Sequence, residues 1–333
     1  MKTALCARLN IELPIIQAPM GGASCPALAA AVSNAGGLGM LALSWHPPEA
    51  VRVAIRATRA LTDKPFGVNL VLAWPQEARL AVCVEEGVPV ISFFWGDPAP
   101  LVARVHAAGA AALSTVASAD EAKQAVAAGV DVIVAQGWEA GGHVLGQVAT
   151  LPLVRAVVEA VKPTPVVAAG GIVDGRGLAA VLALGAVGAW IGSRFLATPE
   201  AAIHSDYRAR LLAARETDTV HTDLFDVGWP NAPHRVLRNS TLAAWNAAGR
   251  PPSGVRPGEG EIVANTPRSP ILRYASATPG PDTQGDIEAL SLWAGQGVAQ
   301  LVRIMPAADV VLEIAAEARS AIFELAETAR AWG

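Results

Sequence analysis

From residue 14 to residue 191 the chain repeats one local pattern, and this repeat limits the fold more than any other feature. A short apolar run typical of a β-strand is followed by a Gly, Pro or polar turn and then by an alanine-rich helical stretch. Continuous apolar strands that alternate with helices indicate a parallel sheet with both faces covered. The predicted strands are 14–19, 38–43, 66–71, 89–94, 111–116, 131–136, 165–169 and 186–191. The predicted helices lie near 25–35, 47–61, 76–86, 98–108, 118–128, 152–161 and 175–184.

Eight strands in this pattern predict a closed (β/α)8 barrel, the TIM-barrel fold. The alternative is an open, doubly wound sheet, which usually carries a G-x-G-x-x-G dinucleotide fingerprint after its first strand. Here the first strand leads into the segment PMGG, which is not that fingerprint. A later segment begins with Gly295 and Gly297, but Gln300 stands where the third glycine is required. The barrel is therefore the favoured architecture.

The repeat ends near residue 197, and we predict one domain over residues 1–333 with residues 198–284 as a long insertion in the last βα unit. Residues 226–284 are rich in Pro, Gly, Asn and Arg. A long insertion of this kind would project from one end of a barrel, where it could form a lid over a site. Surface elaboration or an oligomer contact, such as a homodimer interface, explains it equally well.

Helical stretches are predicted on both sides of this Pro- and Gly-rich region, near residues 199–214 and 286–304. The tail, residues 307–331, has the pattern of an amphipathic helix. We expect this last helix to pack on the barrel and to complete its outer ring.

Composition and charge exclude several classes of protein. The chain is 52% hydrophobic and 16% charged, which excludes a disordered chain. Its net charge is −4 without a basic run, so nothing points to nucleic acid or to anionic lipid. The apolar run between Arg176 and Arg194 is shorter than the roughly 20 residues of a membrane-spanning helix. The three cysteines form no C-x-x-C pair, which favours a reducing compartment, the cytoplasm, over a disulfide framework or a metal site.

Two glycine-containing segments after the seventh and eighth strands predict a phosphate site. They are AAGGIVDGRG, with Gly170 and Gly171, and WIGSRF, with Gly192 and Ser193. Glycine lets backbone N–H groups approach an anion closely, and a following helix N-terminus favours negative charge. Ser193 adds a hydroxyl donor. TIM barrels commonly bind phosphate after these two strands, so we expect a phosphate-bearing ligand.

The segment QGWEAGGHV places one histidine, His143, in the loop that follows the sixth strand. The preceding glycines free the backbone to place the ring, and the nearby carboxylate of Glu139 could tune its proton affinity. No other His or Cys stands at metal-ligand spacing from His143. The sequence thus predicts an acid–base residue, although a lone histidine in a structural role fits the same pattern.

Amide and thioether side chains stand at other strand ends. Asn69 and Gln136 end apolar strands, where each amide could bind the edge of a heterocycle or cap a layer of the barrel. Met20 follows the first strand and could lie flat against an aromatic ring or fill a gap in the core. These residues suggest a flat ligand over the barrel mouth.

Taken in order, the motifs resemble the nitronate monooxygenase family, formerly called 2-nitropropane dioxygenases, which are FMN-dependent TIM barrels. The resemblance covers most of the chain. It is carried by the segments PIIQAPMGG, AVSNAGGLGML, FGVNL, QGWEAGGHV, VVAAGGIVDGRGLAAVLALGAVGAWIGSRFLAT and WAGQG.

The resemblance implies FMN as the cofactor and assigns roles to individual residues. His143 matches the family's catalytic histidine over the flavin face, and Gln296 would line the substrate pocket. The implied cofactor-binding residues are Ala18, Pro19 and Met20 along the isoalloxazine ring, Asn69 and Gln136 at the ring or its polar tail, Gly141 through its backbone, and Gly170, Gly171, Gly192 and Ser193 at the phosphate.

The resemblance also implies the activity, which is FMN-dependent oxidation of alkyl nitronates, or nitroalkanes, with molecular oxygen. The alternative is an NAD(P)H-dependent FMN reductase acting on quinones or enoyl-acyl carrier protein, because such enzymes share the EAGGH corner. This chain has VLG after the histidine, where fungal-type nitronate enzymes often carry Arg-Gly. Four arginines of the insertion could grip a pyrophosphate or an acyl-carrier phosphate: Arg235, Arg238, Arg250 and Arg256. A phosphate-binding barrel without redox chemistry is the remaining alternative.

Overall fold

The computed structural model describes residues 2–331. The β-strands are β1 Ile15–Gln17, β2 Gly39–Ala42, β3 Phe66–Val71, β4 Val90–Phe94, β5 Ala111–Val116, β6 Val132–Gln136, β7 Gly142–His143, β8 Val166–Ala169, β9 Gly188–Ile191, β10 Thr219–Thr222, β11 His234–Leu237, β12 Ile262–Asn265, β13 Pro270–Leu272 and β14 Gln284–Gly285. The α-helices are α1 Ala4–Leu9, α2 Pro26–Asn34, α3 Pro48–Arg59, α4 Glu77–Glu85, α5 Ala99–Ala107, α6 Ala119–Ala127, α7 Thr150–Val161, α8 Gly175–Ala183, α9 Ser193–Leu196, α10 Ser205–Ala213, α11 Ser240–Ala247 and α12 Ala307–Arg330.

Within residues 2–331, eight parallel strands form the barrel, in the order β1, β2, β3, β4, β5, β6, β8 and β9. Backbone bonds at Leu38 join β1 to the start of β2 and close the sheet. The Leu38 N–H donates to the Ile15 carbonyl at 2.9 Å, and the Gln17 N–H donates to the Leu38 carbonyl at 2.9 Å. The predicted TIM barrel is confirmed.

All eight predicted strands and seven predicted helices are present, with ends shifted by at most two residues. The apolar runs are continuous because barrel strands are buried on both faces. All six residues of β3, for example, are buried. One set of side chains fills the barrel interior and the other set lies under the surrounding helices.

A short helix that the sequence did not predict, α1, closes the N-terminal end of the barrel. Leu5 and Leu9 of this helix join the interior cluster that also contains Met40 and Val134. At Gly188 an added Cβ would lie 2.5 Å from the Leu5 side chain, so β9 has no room for a larger residue there. The opposite end, where the strands finish, is left for the βα loops.

The tail forms α12, as predicted, and completes the helical ring between α8 and α2. Its apolar stripe, including Val310, Ile314 and Ala318, is buried. The helices α8 and α12 approach each other closely. A Cβ at Gly175 of α8 would lie 2.3 Å from the Ala318 nitrogen of α12. None of the helices within the described residues is long and apolar enough to cross a membrane.

The segment between β9 and α12 differs from the prediction in its local structure. The helix expected near residues 199–214 begins only at Ser205. The prediction of a helix near residues 286–304 is wrong, because that stretch forms only the 3₁₀ turns Ile287–Ala289 and Gln296–Gln300. Its backbone bonds to other segments instead: the Leu237 N–H donates to the Leu292 carbonyl at 2.8 Å. Tertiary pairing with β11 overrides the local helical pattern.

The Pro- and Gly-rich region is also more ordered than its composition suggests. It supplies β12, β13 and most of β14 as one small antiparallel sheet, and β11, which pairs with the preceding β10, as part of another. The third strand of that second sheet is β7, from the loop after β6, with His143 opposite His234. The insertion is therefore joined directly to the segment that carries the predicted catalytic residue. Its function as a lid stays a prediction.

Candidate active site

A cavity of about 410 Å³ opens at the carboxyl end of the barrel strands. This volume lies in the usual range for small-molecule sites. Its walls include every predicted site residue except Gln296: Ala18, Pro19, Met20, Asn69, Gln136, Gly141, His143, Gly170, Gly171, Gly192 and Ser193. Gln296 lies between two lining glycines, Gly295 and Gly297, but does not itself line the cavity. Its N–H donates to the Glu139 carbonyl at 2.9 Å.

The lining of this cavity is almost free of charge. Among the described residues that line it there is no Lys, Arg, Asp or Glu. The cation next in sequence to Ser193 is Arg194, which is buried and directs its guanidinium toward the Arg303 carbonyl and the Met305 sulfur. A ligand phosphate in this cavity must therefore be held by backbone and hydroxyl dipoles rather than by an ion pair.

The predicted phosphate end of the cavity has the geometry of an anion cradle. Gly170 and Gly171 have φ values of 108° and 72°, which favour glycine. A Cβ at Gly192 would make only ordinary contacts, 3.7 Å from the Ala18 Cβ and 4.0 Å from the Met20 sulfur, so packing within the protein does not require glycine there. The Ser193 hydroxyl oxygen accepts from the Gly295 N–H at 2.9 Å, which ties the cradle to the segment before α12.

The prediction that the N-terminus of α8 helps to bind the phosphate is wrong. Asp174 caps this helix with its own carboxylate, which accepts from the Gly177 N–H at 2.8 Å. The Gly175 N–H donates to Glu317 of α12 at 2.9 Å. These first-turn N–H groups are satisfied by two carboxylates of the protein, so they offer little to an external anion. The predicted phosphate site therefore consists of Gly170, Gly171, Gly192 and Ser193.

Asn69 and Gln136 are fixed by one hydrogen bond each. The Ser92 hydroxyl donates to the Asn69 Oδ1 at 2.6 Å, and the Gln136 Nε2 donates to the His143 carbonyl at 3.1 Å. These bonds leave the Asn69 NH₂ and the Gln136 carbonyl for a ligand edge. Gln136 also connects the end of β6 to the histidine loop.

The His143 ring lines the cavity and has no hydrogen-bond partner at its buried Nε2. Burial lowers the pKa of His143 to about 3, with a smaller contribution from the neighbouring His234. The imidazole is therefore neutral at physiological pH. An unpartnered nitrogen in a largely buried ring is costly without a ligand, which marks His143 as a binding or catalytic group.

Glu139 does not tune His143, contrary to the expectation from the sequence. Its carboxylate accepts from the Thr150 N–H at 2.7 Å and from the Thr150 hydroxyl at 2.8 Å, and so anchors the start of α7. The nearby Gly141 is required for packing, because a Cβ there would lie 2.4 Å from the Gly295 nitrogen. Gly142 has φ 73°, a turn that allows β7 to pair with β11.

An aromatic wall, which the sequence analysis missed, lines the cavity beside His143. We define it as Trp45, Phe94, Trp229 and Trp293, all of which line the cavity. Trp229 stacks on the His143 ring with centroids 3.9 Å apart and planes 29° apart. The signal was compositional: the chain has nine Trp but only two Tyr and six Phe. These tryptophans come from distant loops, so no local motif connects them.

The family model for nitronate monooxygenase matches residues 2–317 of this chain. The chain belongs to the nitronate monooxygenase family. A nitronate monooxygenase of Paraburkholderia phytofirmans is 36% identical to it, over 98% of both chains. The resemblance inferred from the motifs is thus confirmed, and with it the assignment to an oxidoreductase.

Two solved structures that are similar to this nitronate monooxygenase family member carry different names. FabK from Thermotoga maritima has a TM-score of 0.84 and 34% identity, over 98% of this chain and 99% of that chain. A nitroalkane oxidase from Streptomyces ansochromogenes has a TM-score of 0.79 and 32% identity, over 97% of this chain and 100% of that chain. The chain is therefore similar both to a protein named as a nitroalkane oxidase and to FabK, which carries a different name.

Two of the four arginines of the insertion bond to other residues of this family member. Arg235 is buried, donates to the Trp138 carbonyl at 2.9 Å and lies 4.4 Å above the Trp138 ring. Arg256 is buried and pairs with Asp226 at 2.8 Å and with Glu259. Both guanidiniums stabilise the insertion, so the expectation that they grip a phosphate is wrong. Arg238 and Arg250 are exposed.

Metal-dependent chemistry has no visible site in the described part of the chain. No group of three or more His, Cys, Asp or Glu residues within residues 2–331 is placed to hold a metal ion. His234, the histidine nearest to His143 in the sheet, is satisfied by protein: its Nδ1 lies 2.8 Å from the Ala232 carbonyl, and its Nε2 accepts from the Phe225 N–H. His234 is thus a structural residue beside the candidate catalytic one.

We expect the stability of this nitronate monooxygenase family member to fall with acid in a defined pH window. Burial lowers the pKa of His143 to about 3 and that of His234 to about 4. Below the pKa of about 6.5 of an unfolded histidine, the unfolded chain binds protons that the folded chain does not. The contribution of these two histidines to the free energy of unfolding should therefore be complete above pH 6.5. It should decrease by up to about 1.4 kcal/mol per pH unit for each histidine as the pH falls toward 4.

Urea unfolding of the wild type and of His143→Gln at pH 7.5, 6.5, 5.5 and 4.5 measures this effect. The variant, which has no titrating ring at residue 143, should show a shallower decline than the wild type. Equal pH dependence of the two proteins would show that His143 titrates normally in the folded state.

Proposed function

We propose that this protein oxidises alkyl nitronates with molecular oxygen, using FMN. The observation that carries the proposal is a neutral, unpartnered His143 in the wall of an uncharged cavity, in a chain of the nitronate monooxygenase family. We further propose that the enzyme works in the cytoplasm on a small-molecule substrate, without nucleic acid.

The cavity residues fit FMN. Gly170, Gly171, Gly192 and Ser193 would hold its phosphate, because they line the cavity together at the ends of β8 and β9, and a Cβ at Gly192 would have no protein atom nearer than 3.7 Å. The free amide groups of Asn69 and Gln136 and the flat surface of Ala18, Pro19 and Met20 suit a heteroaromatic ring. Bound FMN would supply the redox chemistry by accepting electrons from the nitronate and passing them to oxygen.

The role of His143 follows from its protonation state. As a neutral imidazole it can donate one hydrogen bond from its ring N–H to a nitronate oxygen, and so orient the substrate in the cavity. Removal of the α-proton of a neutral nitroalkane would require Nε2 to accept that proton against the burial that lowers its pKa. A nitronate has already lost this proton. The site therefore favours the nitronate over the neutral nitroalkane.

The aromatic wall completes the site by excluding water from the His143 side. Trp229 covers one face of the histidine ring, and Trp293 lies 5.2 Å from it between ring centroids. A dry environment strengthens the hydrogen bond from His143 to a charged substrate. It also places the reacting carbon away from bulk solvent.

The second candidate function is an NAD(P)H-dependent reductase, and the likeness to FabK favours it. Such an enzyme must hold a second phosphate-bearing ligand. The internal use of Arg235 and Arg256 and the lack of cations in the described cavity lining argue against this candidate. Arg238 and Arg250, at the surface, are the groups it would have to use.

Anaerobic stopped-flow reduction of the bound flavin separates the two functions. The nitronate of 1-nitropropane should bleach the flavin absorbance within one turnover, because it has already lost its α-proton and needs no base before the flavin oxidises it. NADH and NADPH should bleach it far more slowly at the same concentration. Fast reduction by a pyridine nucleotide and none by the nitronate would move the enzyme to the reductase class.

The identity of the cofactor is tested by chromatography of the flavin released on heating. We expect FMN, because the glycine cradle ends the ligand at one phosphate and the described chain offers no dinucleotide fingerprint beside it. A sample reconstituted with an equimolar mixture of FMN and FAD gives the sharpest comparison. Recovery of FAD, or of no flavin, contradicts the proposal.

A further inference from the structure

The His143 ring is held in its orientation without a hydrogen bond. Within residues 2–331 neither ring nitrogen has a hydrogen-bond partner, and the bond from the Gln136 Nε2 goes to the His143 backbone carbonyl instead. A functional histidine is usually oriented by a hydrogen bond from one ring nitrogen to a backbone carbonyl or a carboxylate. The packing of neighbouring groups must therefore fix the orientation of this ring.

Trp229 makes the closest ring contact with His143. The two rings are stacked, with centroids 3.9 Å apart and planes 29° apart, and Trp229 is buried. Rotation of the imidazole about its Cβ–Cγ bond would turn the ring perpendicular to its present plane. Its edge would then run into the indole, because 3.9 Å is already ordinary van der Waals contact between carbon atoms. Trp229 thus blocks rotation of the imidazole.

Trp95 packs against the same ring from another direction. Its indole lies nearly at a right angle to the His143 ring, with centroids 6.0 Å apart and planes 85° apart, and lies 5.1 Å from the Trp229 ring. The backbone of Trp95 has φ 65°, which is strained for a bulky residue and persists only where the surrounding packing holds it. This strained conformation places an indole against both His143 and Trp229.

A second cavity lies beside the Trp95 indole. This side cavity has a volume of about 380 Å³ and is lined by Trp95, whereas His143 and Trp229 line the main cavity and not the side cavity. Because Trp95 contacts both of these rings, a smaller residue at position 95 would leave them space to move toward the side cavity. The indole of Trp95 therefore limits the movement of the His143 ring.

We propose that Trp229 and Trp95 are positioning residues that hold the His143 ring in the orientation in which it acts on the nitronate. The observation that carries the proposal is the packing of two tryptophans, one stacked and one at a right angle, against a ring without hydrogen bonds. Trp95 follows β4 and Trp229 comes from the insertion. This inference rests on the proposed role of His143 in nitronate oxidation and names two residues that act through it.

The first test replaces Trp229 by leucine and by phenylalanine. Leucine keeps an apolar cover over the imidazole but removes the flat face, whereas phenylalanine keeps the flat face. We expect Trp229→Leu to lower kcat for a nitronate by about 10- to 100-fold, since a displacement of about 1 Å can cost 10²-fold in rate. Trp229→Phe should retain most of the turnover. A loss in Trp229→Phe as large as that in Trp229→Leu contradicts the proposal.

NMR spectra of histidine-labelled protein, recorded without substrate, report the orientation of the ring. The chain has six histidines, and the signal that disappears in His143→Gln belongs to His143. The His143 ring protons should lie upfield in the wild type and in Trp229→Phe, because the stacked aromatic ring shields them. They should move downfield in Trp229→Leu. Unchanged His143 signals in Trp229→Leu overturn the proposal.

The matched control is Trp74→Leu, the same substitution in a neighbouring tryptophan. Trp74 lies against Trp229 with ring centroids 4.9 Å apart, but it does not line the main cavity. It should leave the His143 signals in place and lower kcat far less than Trp229→Leu does. Equal effects of the two leucine variants would show that the whole tryptophan cluster acts through stability, which contradicts a specific role of Trp229.

A pH titration of the same NMR signals separates positioning from exclusion of water. Burial lowers the pKa of His143 to about 3, so its signals should not titrate near neutral pH in the wild type. Leucine at position 229 still covers the ring, and we expect no such titration in Trp229→Leu either. If His143 of this variant titrates near pH 6.5, the ordinary value of a histidine, Trp229 acts by excluding water and the positioning role is wrong.

Trp95→Gly tests the second residue, because glycine adopts a positive φ without strain and the backbone should keep its path. We expect kcat to fall by about two- to tenfold, the size of one aromatic contact. Wild-type turnover together with wild-type His143 signals contradicts the role of Trp95.

Failure of the proposed function gives a different result from failure of the positioning role. If the wild type oxidises no nitronate, the proposed function is wrong and the kinetic comparison falls with it. The NMR comparison needs no turnover, so unchanged His143 signals in Trp229→Leu, in an enzyme that oxidises nitronates, show that only the positioning role is wrong.

Discussion

The variant His143→Ala should retain the fold and FMN but lose about 10²–10³-fold in turnover of a nitronate, the usual cost of removing one hydrogen-bond donor that stabilises charge in the reaction. Its ring is the one imidazole in the described lining of the cavity, and its Nε2 has no protein partner. The loss should be greatest with a neutral nitroalkane, which needs its α-proton removed. Single-turnover flavin reduction and steady-state oxygen consumption measure the two effects.

The control for this variant is His221→Asn. The His221 Nε2 lies 3.2 Å from the Val144 carbonyl, beside the same loop, but His221 does not line the cavity. It should therefore lose less than tenfold in turnover, on the order of one hydrogen bond. If His143→Ala oxidises both nitroalkane and nitronate at nearly the wild-type rate, His143 is a structural residue.

Ser193→Asp should weaken FMN binding by at least about fivefold and leave the barrel folded. Two like charges about 4 Å apart repel by about 1–4 kcal/mol at effective dielectric constants of 80 to 20. The described cavity lining has no cation to compensate for the added carboxylate. Titration of the apoprotein with FMN, followed by flavin fluorescence, measures the change in Kd.

Ser193→Asn is the matched control, because asparagine has nearly the same size as aspartate and no charge. It disturbs the hydrogen bond from the Gly295 N–H to Ser193 as much as aspartate does, so it isolates the electrostatic part. We expect a small loss in affinity for Asn and a large one for Asp. Equal Kd values for the two variants would place the phosphate elsewhere.

The barrel was predictable because local and long-range preferences agree along it. In β3 and β5, for instance, β-type apolar residues coincide with burial on both faces, and both strands have the predicted bounds. The cavity residues were predictable for a related reason. Glycines, amides and His143 that follow parallel strands must meet at one end of a closed barrel.

The parts that were not predictable depend on pairing between distant segments. The stretch near residues 286–304 has helical periodicity, but β11 supplies better partners for its backbone. The aromatic wall combines Trp45 from the loop after β2 with Trp229 and Trp293 from beyond β9. Glu139 looked like a partner for His143, and only the fold shows that Thr150 takes its carboxylate.

The pairing of β7 with β11 has a consequence for protein engineering. His143 lies opposite His234 and Gly142 lies opposite Arg235, so the histidine loop and the insertion share one small sheet although some 90 residues separate them. A graft that takes the insertion from a relative without the loop at residues 137–149 breaks the side-chain and backbone matches along this edge. Recombination libraries aimed at new substrates should therefore exchange both segments together and keep the barrel strands as the constant scaffold.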